Sequence, residues 1–169
     1  MNIIEKYRGM RAFHGDAAIK EKYLARLRAH AAADEIIHGT YWEKGKGCAI
    51  GCTVHSANHA AFETEIGIPA AIAHLEDALF ETLPNGDSKN FPLRFLGAIR
   101  VGADLSMVIP QFLYWLFSDE AFGLIPLTKD SPADVKLAVD GIADCYRRAV
   151  AGDIPSKVDW EAAGKDVWD

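Results

Sequence analysis

Apolar residues recur at steps of three and four positions along most of this chain, and this spacing is the feature that most restricts its fold. Between Ala17 and His38, for example, one such stripe contains Tyr23, Leu24 and Leu27. A period of 3.6 residues places these side chains on one face of an α-helix. The alternation typical of half-buried strands is nearly absent, and 52–54 is the best strand candidate. The pattern predicts an all-α protein.

Capping signals divide the chain into about six or seven predicted helices. Asp16 can cap the first long helix, which we expect to run to about His38, and Ser131 and Ser156 can cap two later helices. Half of the 169 residues are hydrophobic and no linker is visible, so we expect a single compact domain over residues 1–169. Its predicted core is Leu24, Leu27, Ile72, Leu75, Leu79, Phe95, Leu96, Ile99, Leu113, Leu116 and Ile142.

Glycines interrupt the helical pattern between residues 39 and 51. The four glycines there are Gly39, Gly45, Gly47 and Gly51. We interpret residues 39–47 as a Gly-rich loop between two helices. Tyr41 and Trp42 can fix this loop onto the protein, and functional groups concentrate on loops that a scaffold holds in place. We therefore expect an ordered, functional loop.

Two cysteines and two histidines follow the loop within twelve residues, with the spacing Cys-x3-Cys-x2-His-x3-His. They are Cys48, Cys52, His55 and His59. Thiolate and imidazole are preferred ligands of zinc and of other borderline metals, and four of them complete a tetrahedral shell. The spacing indicates a site for zinc or another transition metal, although zinc fingers separate their ligand pairs by a longer insert.

The backbone conformation decides whether one ion can reach all four side chains. On a single helix they form one stripe, but Cys48 and His59 would lie roughly 16 Å apart along the axis. A break at Gly51 would instead let Cys48 and Cys52 fold back toward the histidines. In both cases we expect at least three of the four side chains to approach one another or to share one buried face. Packing alone is a further interpretation, because free cysteine is often buried.

Cys48 is also a candidate reactive thiol. It follows Lys44 and Lys46 and precedes a predicted helix, and positive charge and a helix N-terminus both lower the pKa of a thiol. His55 or His59 could serve as its base. No reaction can be assigned, because the sequence contains no cysteine-peptidase signature and no Cys-x2-Cys redox motif.

Charge and cysteine content restrict the partners and the compartment. The chain has 18 basic and 24 acidic residues, a net charge of −6, which argues against direct nucleic-acid binding through a basic surface. The most apolar run, 107–117, is shorter than the roughly 18–20 residues of a membrane span. Three cysteines without a signal sequence argue against a secreted disulfide scaffold. We therefore expect a cytoplasmic protein that does not contact membranes.

These features favour a small acidic binding protein, of the adaptor, inhibitor or regulator type, whose acidic surface contacts another protein. Five acidic residues are expected to form a solvated face: Glu63, Glu65, Glu76, Asp77 and Glu81. The alternative is a metal-binding or thiol-dependent protein that uses the Cys/His cluster at 48–59. Trp168, next to the C-terminal residue, is expected either to dock on the domain or to contact a partner.

Overall fold

Helices dominate the computed structural model, which describes residues 6–164; Trp168 lies outside this range. The α-helices within it are α1 (Ala17–Ala32), α2 (Ala49–Val54), α3 (Ala70–Thr82), α4 (Asn85–Ser88), α5 (Phe91–Ala98), α6 (Val108–Ser118), α7 (Ala133–Val150) and α8 (Lys157–Gly164). Shorter helical segments lie at Ala12–Gly15, Phe62–Ile66 and Pro126–Thr128. The strands are β1 (Trp42–Glu43) and β2 (Lys46–Gly47), paired antiparallel. The all-α prediction is confirmed.

Backbone contacts group the chain into two compact units, one ending at Ser106 and the other beginning at Met107. Helices α1–α5 and both strands belong to the first unit. In the second unit, α7 packs against α6 and against α8. None of the helices described here combines the length and the apolar character needed to cross a membrane. The single domain expected from the sequence stays a prediction.

The two ends of the first unit are paired with each other. Arg11 and Asp104 form an antiparallel bridge, and their side chains form an ion pair with 2.6 Å between Nη1 and Oδ2. The amide of Ala12 donates to the carbonyl of Ala103, and the amide of Gly102 donates to the carbonyl of Ala12, both at 2.9 Å. These contacts therefore hold the first and last segments of the first unit together.

The Gly-rich segment folds into a hairpin, where the sequence predicted a loop. Its turn residues Lys44 and Gly45 have φ values of +49° and +85°, the left-handed pair that a tight two-residue hairpin turn requires. Strands of two residues are too short to show an alternating pattern, so the sequence does not reveal them. The best strand candidate, 52–54, is instead part of α2.

Helix α2 lies inside the first unit, and the hairpin packs directly on it. All six residues of α2 are buried. A Cβ on Gly51 would lie 1.4 Å from the carbonyl oxygen of Tyr41, and a Cβ on Gly47 would lie 2.1 Å from the same oxygen. Only glycine permits this approach. Two of the four glycines thus serve the packing of the hairpin on α2.

The predicted helix caps are confirmed at Asp16 and Ser156. The carboxylate of Asp16 accepts a hydrogen bond from the amide of Ala18 at 2.8 Å. Ser156 and Asp159 form a reciprocal capping box, since the amide of Ser156 donates to Asp159 Oδ2 at 2.7 Å and the Ser156 hydroxyl accepts from the amide of Asp159 at 3.2 Å. The prediction at Ser131 is wrong, because Pro132 occupies the cap position of α7 without a side-chain bond.

The predicted extent of α1 and part of the predicted core are also wrong. Helix α1 ends at Ala32, because Asp34 adopts a left-handed backbone with a φ of +55°. On α3, Leu79 is 43% exposed while Glu76 and Phe80 are fully buried. The buried face of α3 is rotated toward Glu76, which an apolar pattern does not include. The predicted core residues that are buried are Leu24, Leu27, Ile72 and Leu96.

Candidate metal centre

A thiol and two carboxylates meet where the hairpin approaches α3. The ligand atoms of Cys48, Asp77 and Glu81 all lie within 4.8 Å of one another. Cys48 immediately precedes α2, and Asp77 and Glu81 are one helical turn apart on α3, so they face the same side. Thiolate sulfur and carboxylate oxygen are both zinc ligands, and three protein ligands leave a position open for water or substrate.

His59 lies at the edge of this group and is nine-tenths buried, with 9% of its surface exposed. Its Nε2 is 3.4 Å from Asp77 Oδ2, yet neither Nε2 nor Asp77 Oδ1 has a hydrogen-bond partner among the described residues. The ring stacks on His74, with 3.9 Å between centroids. Buried polar atoms are normally paired. A bound cation would account for these two unpaired atoms. Cys48, His59, Asp77 and Glu81 are called the thiol–carboxylate site below.

Burial raises the pKa of the Cys48 thiol to about 12, and Asp77 adds to this effect. Hydrogen bonds from the amides of Gly51 and Ile50 lower the pKa of this thiol, but by less than burial raises it. The expected lowering by lysines is not seen, since Lys44 extends into solvent with its side chain 89% exposed. Without a metal the thiol is therefore protonated at neutral pH. A metal ion would supply the positive charge that stabilises a thiolate.

A cavity of about 180 Å³ opens beside the thiol–carboxylate site. Its lining is Gly39, Thr40, Tyr41, Asp77 and Glu81. The amide of Gly39 donates to both carboxylate oxygens of Glu81, at 3.2 and 3.1 Å. The charge of Asp77, together with burial, raises the pKa of the Tyr41 phenol. A small molecule in this cavity would lie next to an ion held by the two carboxylates.

The solvated acidic face that the sequence predicts is present only in part, since Glu65 and Glu81 are exposed while Glu63 and Asp77 are half-buried. Glu76 is fully buried and neither of its carboxyl oxygens has a partner among the described residues. Burial raises its pKa well above the usual range, and Asp77 raises it further. Glu63 pairs with Lys6 at 2.9 Å, and Glu65 accepts a hydrogen bond from a tyrosine. Glu63 and Glu65 therefore bond to other residues of the first unit.

The four side chains of the Cys/His cluster lie in three places. Cys48 and His59 belong to the thiol–carboxylate site. The thiol of Cys52 donates to the carbonyls of Gly47 and Glu35, at 3.3 and 3.6 Å. Burial raises the pKa of this thiol to about 11. These contacts fit the packing interpretation for Cys52.

His55 lies at the other end of α2 from Cys48. It is the C-cap residue of α2 and has a left-handed backbone with a φ of +55°. Its ring is exposed and stacks on Trp42, with 4.3 Å between centroids. Burial of part of the ring lowers the pKa of His55, and Arg26 and His30 lower it further. His55 therefore faces a different set of neighbours from His59.

The sequence analysis named Cys48 as a candidate ligand but did not name Asp77 and Glu81, whose ligand atoms lie close to its thiol. The spacing of four between Asp77 and Glu81 on a predicted helix was the available signal, since it places both on one face. Comparisons of the chain with protein-family models, with curated proteins and with solved structures find no match. The geometry of the site is therefore the basis for a functional proposal.

Proposed function

We propose that the protein binds a transition metal ion, with zinc the best fit, at the thiol–carboxylate site. One observation carries the proposal. The ligand atoms of Cys48, Asp77 and Glu81 lie within 4.8 Å of one another, and the buried, unpartnered Nε2 of His59 lies 3.4 Å from Asp77 Oδ2. Zinc accepts thiolate, carboxylate and imidazole together, whereas magnesium and calcium select oxygen ligands.

The protonation states of the ligand side chains must change when the metal ion binds. The Cys48 thiol, whose pKa is about 12 without metal, must lose its proton to become a ligand, so binding releases a proton. His59 lies beside Asp77, outside the group whose ligand atoms are within 4.8 Å of one another, and it could join as a fourth ligand only with Nε2 as a lone pair and its hydrogen on Nδ1. Asp77 and Glu81 already face the cavity, so the open side of the ion would be reached from there.

Cobalt substitution tests this proposal, because a cobalt–thiolate bond gives a charge-transfer band in the near ultraviolet. The chain treated with chelator and then with one equivalent of Co²⁺ should show the band, and Zn²⁺ should displace it. Cys48→Ser should remove the band. Cys145→Ser is the matched control, because Cys145 is a buried free cysteine of the second unit. No band in the unsubstituted chain, or an equal band in Cys48→Ser, would contradict the proposal.

The second unit favours protein binding as an additional function. Phe122 and Leu127 are 82% and 78% exposed, and Val158 is 71% exposed. Exposed apolar side chains mark a contact surface where they form one contiguous patch. An adaptor or regulator role, with a protein partner and acidic residues at the contact, remains our proposal for this unit. Phe122→Ser should reduce co-purification of a partner without changing the circular dichroism spectrum.

The cysteines support our proposed location in the cytoplasm. All three, Cys48, Cys52 and Cys145, are free thiols. Free thiols persist in reducing compartments and tend to form disulfides in oxidising ones. Fractionation of cells that produce the full chain would test the proposal, and recovery of the chain outside the cytoplasm would contradict it.

A further inference from the structure

Two histidines that are 25 residues apart in sequence meet beside the hairpin. Nε2 of His30, in the last turn of α1, lies 2.8 Å from Nε2 of His55. On its other side, Nδ1 of His30 lies 2.7 Å from Glu35 Oε2. A carboxylate accepts hydrogen bonds, so Nδ1 carries the hydrogen and Nε2 of neutral His30 is a lone pair directed at His55. This pair shares no residue with the thiol–carboxylate site.

Trp42 holds the two imidazole rings in this arrangement. It stacks on His55 at 4.3 Å with an interplanar angle of 13°, and it meets His30 edge-on at 5.5 Å and 82°. His55 also keeps a left-handed backbone, which few non-glycine residues adopt. Its ring is nevertheless exposed. The His30 side chain is only 11% exposed, so solvent reaches the pair from the side of His55.

We propose that His30 and His55 form a second metal site, for Cu²⁺ or Ni²⁺, with both Nε2 atoms as ligands and water in the remaining positions. Imidazole is a preferred ligand of both ions. A carboxylate on the far nitrogen of a ligating histidine, as Glu35 provides, fixes the ring and raises its basicity.

The 2.8 Å between the two Nε2 atoms is a hydrogen-bond distance, and it is nearer to the value for square coordination than to the value for tetrahedral coordination. Imidazole nitrogens about 2.0–2.1 Å from a metal lie about 2.9 Å apart when they meet it at a right angle. The observed separation is 2.8 Å. Tetrahedral zinc would need about 3.3–3.4 Å with the same bond lengths. Square-planar or tetragonal coordination is typical of Cu²⁺ and Ni²⁺.

Binding replaces the hydrogen bond between the rings. Without metal, Nε2 of His55 carries a hydrogen and donates it to the lone pair on Nε2 of His30. With metal, His55 carries its hydrogen on Nδ1, and both Nε2 lone pairs bind the ion. The exchange requires both rings to tilt, because with 2.8 Å between the Nε2 atoms and 5.1 Å between the ring centroids the two rings point at each other and not at a common ion.

Copper titration of the Cys48→Ser chain tests the proposal, since this variant lacks the thiol that would bind or reduce copper at the other site. One equivalent of Cu²⁺ should quench Trp42 fluorescence, and the paramagnetic resonance spectrum should show coupling to two imidazole nitrogens. His30→Ala and His55→Ala should each weaken binding by about tenfold or more, and Glu35→Gln by about tenfold.

Two control variants separate binding from its fluorescence signal. Trp42→Phe should keep the resonance spectrum and lose most of the quenching, and His14→Gln, at an exposed histidine, should change neither. If Cys48→Ser does not fold, Ni²⁺ calorimetry on the unsubstituted chain and its His30→Ala and His55→Ala variants gives the same comparison. The absence of stoichiometric binding, or equal affinity after both histidine substitutions, would show that the pair only forms a hydrogen bond. A failure of the cobalt experiment would leave this result unaffected.

Discussion

At the scale of single residues, Glu76 is a carboxylic acid in the interior of the first unit, with no hydrogen-bond partner among the described residues. Its pKa in the folded protein is raised by burial and by Asp77, above the roughly 4.3 of an unfolded glutamate. Between about pH 4.3 and the higher pKa of the folded protein, the folded state therefore binds more protons than the unfolded state. The free energy of unfolding consequently falls as the pH rises above about 4.3. Each unit of pKa difference corresponds to about 1.4 kcal/mol.

Glu76→Gln should remove this pH dependence, because glutamine is neutral at every pH. In the presence of chelator, the variant should match the parent chain near pH 4 and exceed its stability near pH 8 in urea unfolding. Glu120→Gln, at an exposed position, is the control and should change neither value. A stability difference that is the same at both pH values would contradict the prediction.

Cys48 should be a slow nucleophile despite its position before a helix. Its thiol is buried and its pKa is about 12, and only the thiolate reacts with iodoacetamide. Mass spectrometry of the native, metal-free chain near pH 7 should find Cys48 unlabelled, and the same chain in urea should be labelled fully. Rapid native labelling would favour the reactive-thiol interpretation of the sequence.

At the scale of elements, the close approach of the hairpin to α2 predicts opposite effects at two glycines. A Cβ on Gly51 would meet the Tyr41 carbonyl oxygen at 1.4 Å, so Gly51→Ala should destabilise by about 3 kcal/mol or more. In α5, a Cβ on Gly97 meets nothing within 4 Å, so Gly97→Ala should stabilise by about 0.5–1 kcal/mol. Urea midpoints measure both, and similar midpoints for the two variants would contradict this packing.

The elements also show which parts of the fold are readable from the sequence. The helices were predictable because their apolar period and caps, as at Asp16 and Ser156, are local. The hairpin was not, because its strands have two residues each and its position depends on contact with α2. The rotated face of α3 was missed because Glu76 is a buried acid. The candidate site also combines local and tertiary features. Cys48 and His59 are close in sequence, whereas Asp77 lies near them only because the tertiary fold packs α3 beside the start of α2.

At the scale of the whole molecule, all residues of both proposed sites lie in the first unit, between His30 and Glu81. That unit ends at Ser106, just after the backbone pairing of residues 11–12 with 102–104. Its core residues, such as Leu27, Phe62 and Phe80, are fully buried. A chain of about a hundred residues is long enough to fold independently.

We therefore expect a fragment of residues 1–106 to fold and to keep both metal sites, because the segments that close the unit are within it. Its circular dichroism spectrum should be helical, it should unfold cooperatively, and it should show the cobalt–thiolate band. Arg11→Ala in the fragment removes the ion pair with Asp104, which is largely exposed, and should cost no more than about 1 kcal/mol. The fragment 107–169 contains Cys145 and serves as the control that should show no such band. An unfolded fragment 1–106 would contradict the prediction, since the stability of the first unit would then depend on residues after Ser106.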